Sequence, residues 1–129
     1  MYNKKILLVD DDADDQLLFM DAVQEVDMML QCEIANNGIE ALHHLHKMPP
    51  PPVIIFLDLN MPLMNGFECL ETIRKEKRFS GIPVIIFTTS NNPADHERAK
   101  KLGANDFFTK TADFKELKAK LHQFLKTES

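Results

Sequence analysis

Three carboxylates, a hydroxyl and an amine occupy matching places along this chain. Asp10 and Asp11 directly follow the apolar run LLV, Asp58 follows IIFL, Thr88 follows VIIF, and Lys110 follows NDFFT. Taken singly, an acid after a strand is usually a helix cap and a lysine there a solvated cation. Those readings do not explain why five polar residues share one position relative to an apolar run. If the runs are parallel strands of one sheet, the five converge beyond its carboxyl edge, where open α/β sheets bind ligands. Three carboxylates gathered there repel: at about 4 Å and an effective dielectric near 20, each pair costs ~4 kcal/mol before relaxation and screening. A positive charge must balance them. Hard oxygen ligands without Cys or His suit Mg²⁺, with Mn²⁺ as an alternative ion, better than zinc. Lys110 brings a second positive charge. A carboxylate, a divalent cation, an ammonium and a hydroxyl together equip a site to receive a phosphoryl group, as nucleophile, charge clamp and hydrogen-bond donor.

The elements that must position these groups follow from apolar spacing. Runs at 6–9, 32–35, 53–57, 84–87 and 107–108 read as five strands. Between them, Phe19, Ala22, Val23 and Val26, then Ala41, Leu42 and Leu45, then Phe67, Leu70 and Ile73 have helical spacing. A fourth helix starts at Asn92-Pro93 and ends at Gly103, and a fifth opens on Asp113-x-x-Glu116 before Leu117, Leu121, Phe124 and Leu125. Strands separated by helices run parallel through right-handed crossovers, which predicts a doubly wound α/β sheet of five strands with helices on both faces. Runs one, three and four are unbroken and apolar, as strands covered on both faces must be, whereas QCEIA and NDFFT suit edges, so the expected order is 2-1-3-4-5. Four prolines at 49–52 make a stiff, extended entry to the third strand.

Composition narrows the function classes. With 129 residues, 44% hydrophobic and 27% charged, the chain is expected to form one domain over 1–129 with no output domain attached. No apolar run reaches the ~18 residues of a membrane span, and the first one meets acid after four residues, so neither a membrane segment nor a signal peptide is expected and the location is read as cytoplasmic. Five of the 20 acids fall within positions 10–15 and the remainder balance the 15 basic residues, so the net charge of −5 is concentrated in one place. Without a basic stripe, nucleic acid is not expected as a ligand. Cys32 and Cys69 form no CxxC and read as reduced, packed thiols; His43 and His46, one turn apart, read as solvated; the methionines read as core filler.

LLVDD at 7–11, FLDLNMPLMNG at 56–66, PVIIFTT at 83–89 and GANDFFTK at 103–110 carry a resemblance over essentially the whole chain. In order and spacing these blocks resemble the receiver domains of bacterial two-component response regulators, especially the single-domain, chemotaxis-regulator-like ones. The resemblance implies a flavodoxin-like fold and phosphorylation of Asp58 by a histidine kinase or histidine phosphotransfer protein. It also implies Mg²⁺ held by Asp10, Asp11, Asp58 and the backbone carbonyl of Asn60, and pairing of Lys110 with the phosphoryl oxygens. Thr88 and Phe107 would be the switch pair that carries the change to a surface for an unknown downstream protein, the chain being a monomer or weak dimer that catalyses its own phosphorylation and is otherwise not an enzyme. Thr111 stands where the family has proline, Thr89 where it has Ala or Gly, and Phe107 lacks the hydroxyl of the commoner tyrosine. An alternative is a phosphatase similar to the haloacid dehalogenases, with Asp10 as nucleophile, Asp12 as its partner acid, and Thr88 and Lys110 in the later motifs.

Overall fold

The computed structural model describes residues 4–47 and 50–127, with side chains through 125. Met1, Met48, Pro49 and the Lys126 side chain lie outside the described part. Ten elements alternate: β1 (Lys5–Val9), α1 (Ala13–Val26), β2 (Gln31–Ala35), α2 (Gly38–Lys47), β3 (Ile54–Leu57), α3 (Gly66–Lys75), β4 (Val84–Thr88), α4 (Pro93–Lys101), β5 (Asp106–Thr109) and α5 (Phe114–Thr127). The five strands are parallel and ordered β2-β1-β3-β4-β5, as composition required. The three central strands are buried almost throughout, while β2 and β5 expose part of their length.

Strand alternation divides the core in two. Ile6, Leu8, Ile54, Phe56, Ile85, Phe87 and Phe108 face α1 and α5 through Phe19, Ala22, Val23, Leu117 and Leu121. Leu7, Val9, Ile55, Leu57, Val84 and Ile86 face α2, α3 and α4 through Ala41, Leu45, Leu70, Ile73 and Ala99. Each fully buried Leu, Ile or Phe contributes roughly 1.5–3 kcal/mol relative to exposure. With both faces of the sheet covered, the carboxyl edge is where polar groups can gather.

Local chemistry sets the helix starts. Asp12 caps α1 by accepting from Asp15 N–H at 3.0 Å, and Asn92 caps α4 with Pro93 in its first turn. Asp113 caps α5 by accepting from Lys115 and Glu116 N–H, so the expected Asp113–Glu116 motif works in one direction. The reciprocal capping box is instead Asn65 with Glu68 at α3. Three expectations are corrected. Val53 lies before β3, although its N–H bonds Lys5 O. Met20, Met28 and Met29 are exposed and not core: Met20 lies beside the buried Phe19–Ala22–Val23 face of α1, and the other two lie in the turn beyond that helix. His46 is not merely solvated, since Leu42 O lies 2.7 Å from its Nδ1 and Glu76 Oε2 3.2 Å from its Nε2. Both cysteines are free thiols, and burial pushes each up to about 12.

Candidate functional site

Backbone bonds continue the sheet one residue past its strands and so fix the site. Asp10 N–H donates to Ala35 O and Asp58 N–H to Val9 O, both at 2.9 Å, and Lys110 N–H to Thr88 O at 2.7 Å. Asp10 and Asp58 thereby stand side by side where the sheet's winding reverses between β1 and β3. The loop after Asp58 folds back tightly. Gly66 N–H bonds Leu59 O, and a Cβ on Gly66 would lie 2.1 Å from Asp58 O, which only glycine permits. At the loop's tip Met64 N–H bonds Pro62 O around Leu63 at φ 67°, a strained positive-φ γ-turn costing on the order of 1–3 kcal/mol. Leu59 N–H donates to Asp58 Oδ1 at 2.8 Å, which orients the carboxylate and leaves Oδ2 toward the crevice.

Lys110 is the hub. Its side chain is only 9% exposed, with Nζ 2.8 Å from Asp10 Oδ2, 2.8 Å from Asp15 Oδ2 and 3.1 Å from Asp58 Oδ2. The ammonium thus forms ion pairs with all three carboxylates, at hydrogen-bond distance from each. Burial alone would lower the lysine's pKa, but the Asp10 and Asp15 carboxylates, together with the charge on Asp58, outweigh it and raise it. Asp10 is fully buried, and that burial raises its pKa against the opposing pull of Lys110 and of Asp12 N–H, which donates to Oδ1.

Asp11 is the exposed member. Its carboxylate, with those of Asp10 and Asp58, places three oxygens within 4.8 Å of one another. These hard oxygen donors, with no Cys or His among them, fit an ion of the Mg²⁺ class. An open cleft of about 460 Å³ runs outward from Asp11 past Asn60 and Met61 to Arg98, whose guanidinium lies 4.1 Å from the centroid of the Phe67 ring.

Five sequence-predicted residues are thus placed at one edge, with Asp10, Asp58 and Lys110 in direct contact. Thr88 is fully buried at the end of β4, its hydroxyl 3.5 Å from Ser90 N–H. Asn60 and Thr89 are exposed on their loops. Phe107 is half-buried and stacks on His96 at 3.4 Å between ring centroids. The sequence reading missed Asp15 as a partner of Lys110. The available signal was that Asp15 is the third helical residue after the Asp12 cap, on the turn facing the crevice.

Comparisons with known proteins agree with this geometry. The family described as "Response regulator receiver domain" matches residues 6–122. The chain is 34% identical over 127 residues to a "Chemotaxis protein CheY homolog" of Campylobacter jejuni, covering 97% of this chain and 95% of that one. It is 32% identical over 119 residues to "Response regulator Rcp1" of Synechocystis, covering 88% and 81%. Among solved structures, the phosphorylated cyanobacterial phytochrome response regulator RcpA superposes with a TM-score of 0.87 at 29% identity, covering 95% of this chain and 91% of that one. The Mn²⁺-bound form of Rcp1 superposes with a TM-score of 0.82 at 30% identity, covering 94% and 91%.

Proposed function

The chain belongs to the family of response regulator receiver domains, and from that premise we propose that it accepts a phosphoryl group on Asp58 and signals through the resulting change at its β5 surface. The observation that carries the assignment to Asp58 is its carboxylate: one oxygen is held by Leu59 N–H and the other faces the crevice beside the Lys110 ammonium. In the reaction, an Asp58 oxygen attacks the phosphorus of a phosphohistidine on a kinase or phosphotransfer protein. The P–N bond breaks, its electron pair returns to the donor imidazole, and the product is an acyl phosphate. Lys110 faces the charge that develops on the phosphoryl oxygens, and the Thr88 hydroxyl turns inward to bond one of them.

Asp10, Asp11, Asp58 and the Asn60 carbonyl would hold the cation. Mg²⁺ bound there supplies neutralisation of the phosphoryl charge, and the Mn²⁺-bound Rcp1 neighbour supports such an ion. Phe107 relays the Thr88 movement, its rotamer set by packing against His96 in place of a phenolic hydroxyl. In this reading the domain acts in the cytoplasm, alone or as a weak dimer, on a separate downstream protein. No described helix is long and apolar enough to cross a membrane. The phosphatase alternative fares worse because Asp12, its second acid, is exposed and engaged in capping α1. Incubation with acetyl phosphate and Mg²⁺ tests the proposal: wild type gains one phosphoryl group and Asp58→Asn, which keeps the shape and removes the nucleophile, gains none. Full labelling of Asp58→Asn would refute it.

A further inference from the structure

One ammonium serving three carboxylates raises the question of which one keeps it when a cation arrives. Lys110 Nζ has three protons. It lies 2.8 Å from both Asp10 Oδ2 and Asp15 Oδ2 and 3.1 Å from Asp58 Oδ2, so one positive charge is shared among three carboxylates. Asp10 and Asp58 also belong, with Asp11, to the cluster that fits a divalent ion, so the lysine and the ion call on the same two carboxylates. Asp15 differs from the other two in place. It projects from the first turn of α1, its side chain is 35% exposed against 0% for Asp10 and 8% for Asp58, and it is bound to Lys110 across 95 positions of chain. It lies on the solvent side of the ammonium, outside the cation cluster of Asp10, Asp11 and Asp58.

We infer that Asp15 is a positioning residue that holds the Lys110 ammonium at the mouth of the crevice, so that a divalent cation can take the Asp10 carboxylate without leaving the lysine short of partners. The inference rests on the receiver reading only for the identity of the ion. Without Asp15, an ammonium buried to this extent must find its charge compensation on Asp10 and Asp58, the same oxygens the ion needs, because a buried charge left unpaired is strongly unfavourable. Lysine and cation then compete directly. With Asp15 present, Lys110 cedes Asp10 and keeps a carboxylate that the ion does not use. The same contact fastens the start of α1 to the end of β5, so the first helix senses where the lysine is.

A double-mutant cycle on Mg²⁺ affinity separates this from a plain loss of negative charge near the ion. The full chain is titrated with Mg²⁺ by calorimetry as wild type, Asp15→Ala, Lys110→Met and the double variant, with thermal melts confirming that each is folded. Asp15→Ala weakens Mg²⁺ by a larger factor when Lys110 is present than when it is Met, the two factors differing about threefold or more, as expected for residues in contact. Asp15→Glu, which still reaches from a partly exposed position, restores most of the affinity. Nitrogen NMR of the Lys110 ammonium gives a readout independent of binding: its ordered signal shifts on Mg²⁺ addition in wild type and broadens in Asp15→Ala. An equal loss of affinity in both lysine backgrounds, which is what screened charge alone produces, overturns the inference, and so does an unchanged ammonium signal in Asp15→Ala. The cycle needs no phosphorylation. A chain that accepts no phosphoryl group on Asp58 therefore refutes the receiver reading while the cycle still decides the role of Asp15.

Discussion

Asp11→Asn should stabilise the metal-free protein and lose that advantage in Mg²⁺. Lys110 compensates Asp10, Asp15 and Asp58 by direct contact, and Asp11 alone of the four acids has no contact with it. Asp11 still has a carboxylate oxygen within 4.8 Å of oxygens on Asp10 and Asp58. At that separation a pair of like charges costs about 0.9 kcal/mol in water and ~3.5 kcal/mol at an effective dielectric near 20. Asp11 is exposed, which places its two repulsions toward the lower figure, and the nearby ammonium offsets part of them. A net gain of about 1 kcal/mol on removing the charge is the result. No hydrogen bond to the Asp11 side chain is broken, since none is present among the described residues. In Mg²⁺ the sign turns. Ligand binding stabilises the native state by RT ln(1 + [L]/Kd), about 1.4 kcal/mol at tenfold excess over Kd, and the variant with one ligand fewer forfeits most of it. The chain has no tryptophan, so urea unfolding is followed by far-ultraviolet circular dichroism, in EDTA and in about 10 mM Mg²⁺. Destabilisation of Asp11→Asn in EDTA, or the same gain in both buffers, would refute the claim that these carboxylates share one site.

Other outcomes follow from the same geometry. Lys110→Ala leaves buried Asp10 and Asp58 without their cation and should cost roughly 3–5 kcal/mol in EDTA, much of it recovered in Mg²⁺; in Mg²⁺ it still takes phosphate on Asp58 but shows no beryllofluoride response in β5 amide spectra. An unchanged urea midpoint in EDTA, or a wild-type spectral response, would contradict this. Gly66→Ala should cost about 2–3 kcal/mol, because the new Cβ meets a backbone carbonyl 2.1 Å away; a loss under about 0.5 kcal/mol would mean the loop yields freely. The His46 pKa is raised above 6.5 by its bond to Leu42 O and then by Glu76. Its contribution to stability is therefore fully present below 6.5 and lost as pH rises through the higher folded value, so the stability gap between wild type and His46→Ala should be wider near pH 5.5 than near pH 8.5. An NMR titration placing His46 at or below its ordinary value would exclude this.

The fold was legible because each strand's composition states its place: unbroken apolar runs at β1, β3 and β4 require cover on both faces, and mixed runs at β2 and β5 tolerate an edge. The residues at the crevice were legible because a parallel sheet forces every post-strand residue to the same end. What escaped the sequence reading depends on contacts between distant segments. Asp15 reaches Lys110 from a helix turn, and helix rotation about its axis is set by the buried Phe19, Ala22 and Val23, not by the acid itself. His46 meets Glu76 because α2 and α3 pack side by side, a pairing no local pattern encodes. The Asn65–Glu68 box was visible as N-x-x-E ahead of Phe67, Leu70 and Ile73, yet start signals were read only for the fourth and fifth helices.

Asp58 as the carrier of the phosphoryl group can be tested by chemical trapping. Treating the phosphorylated chain with borohydride reduces an acyl phosphate to the alcohol and converts that aspartate to homoserine, whose position peptide mass spectrometry assigns. Phosphorylation on Asp58 yields homoserine at position 58 and leaves aspartate intact at Asp10, Asp11 and Asp15. Homoserine at position 10, or none at all in a chain that has incorporated phosphate, would contradict the assignment to Asp58.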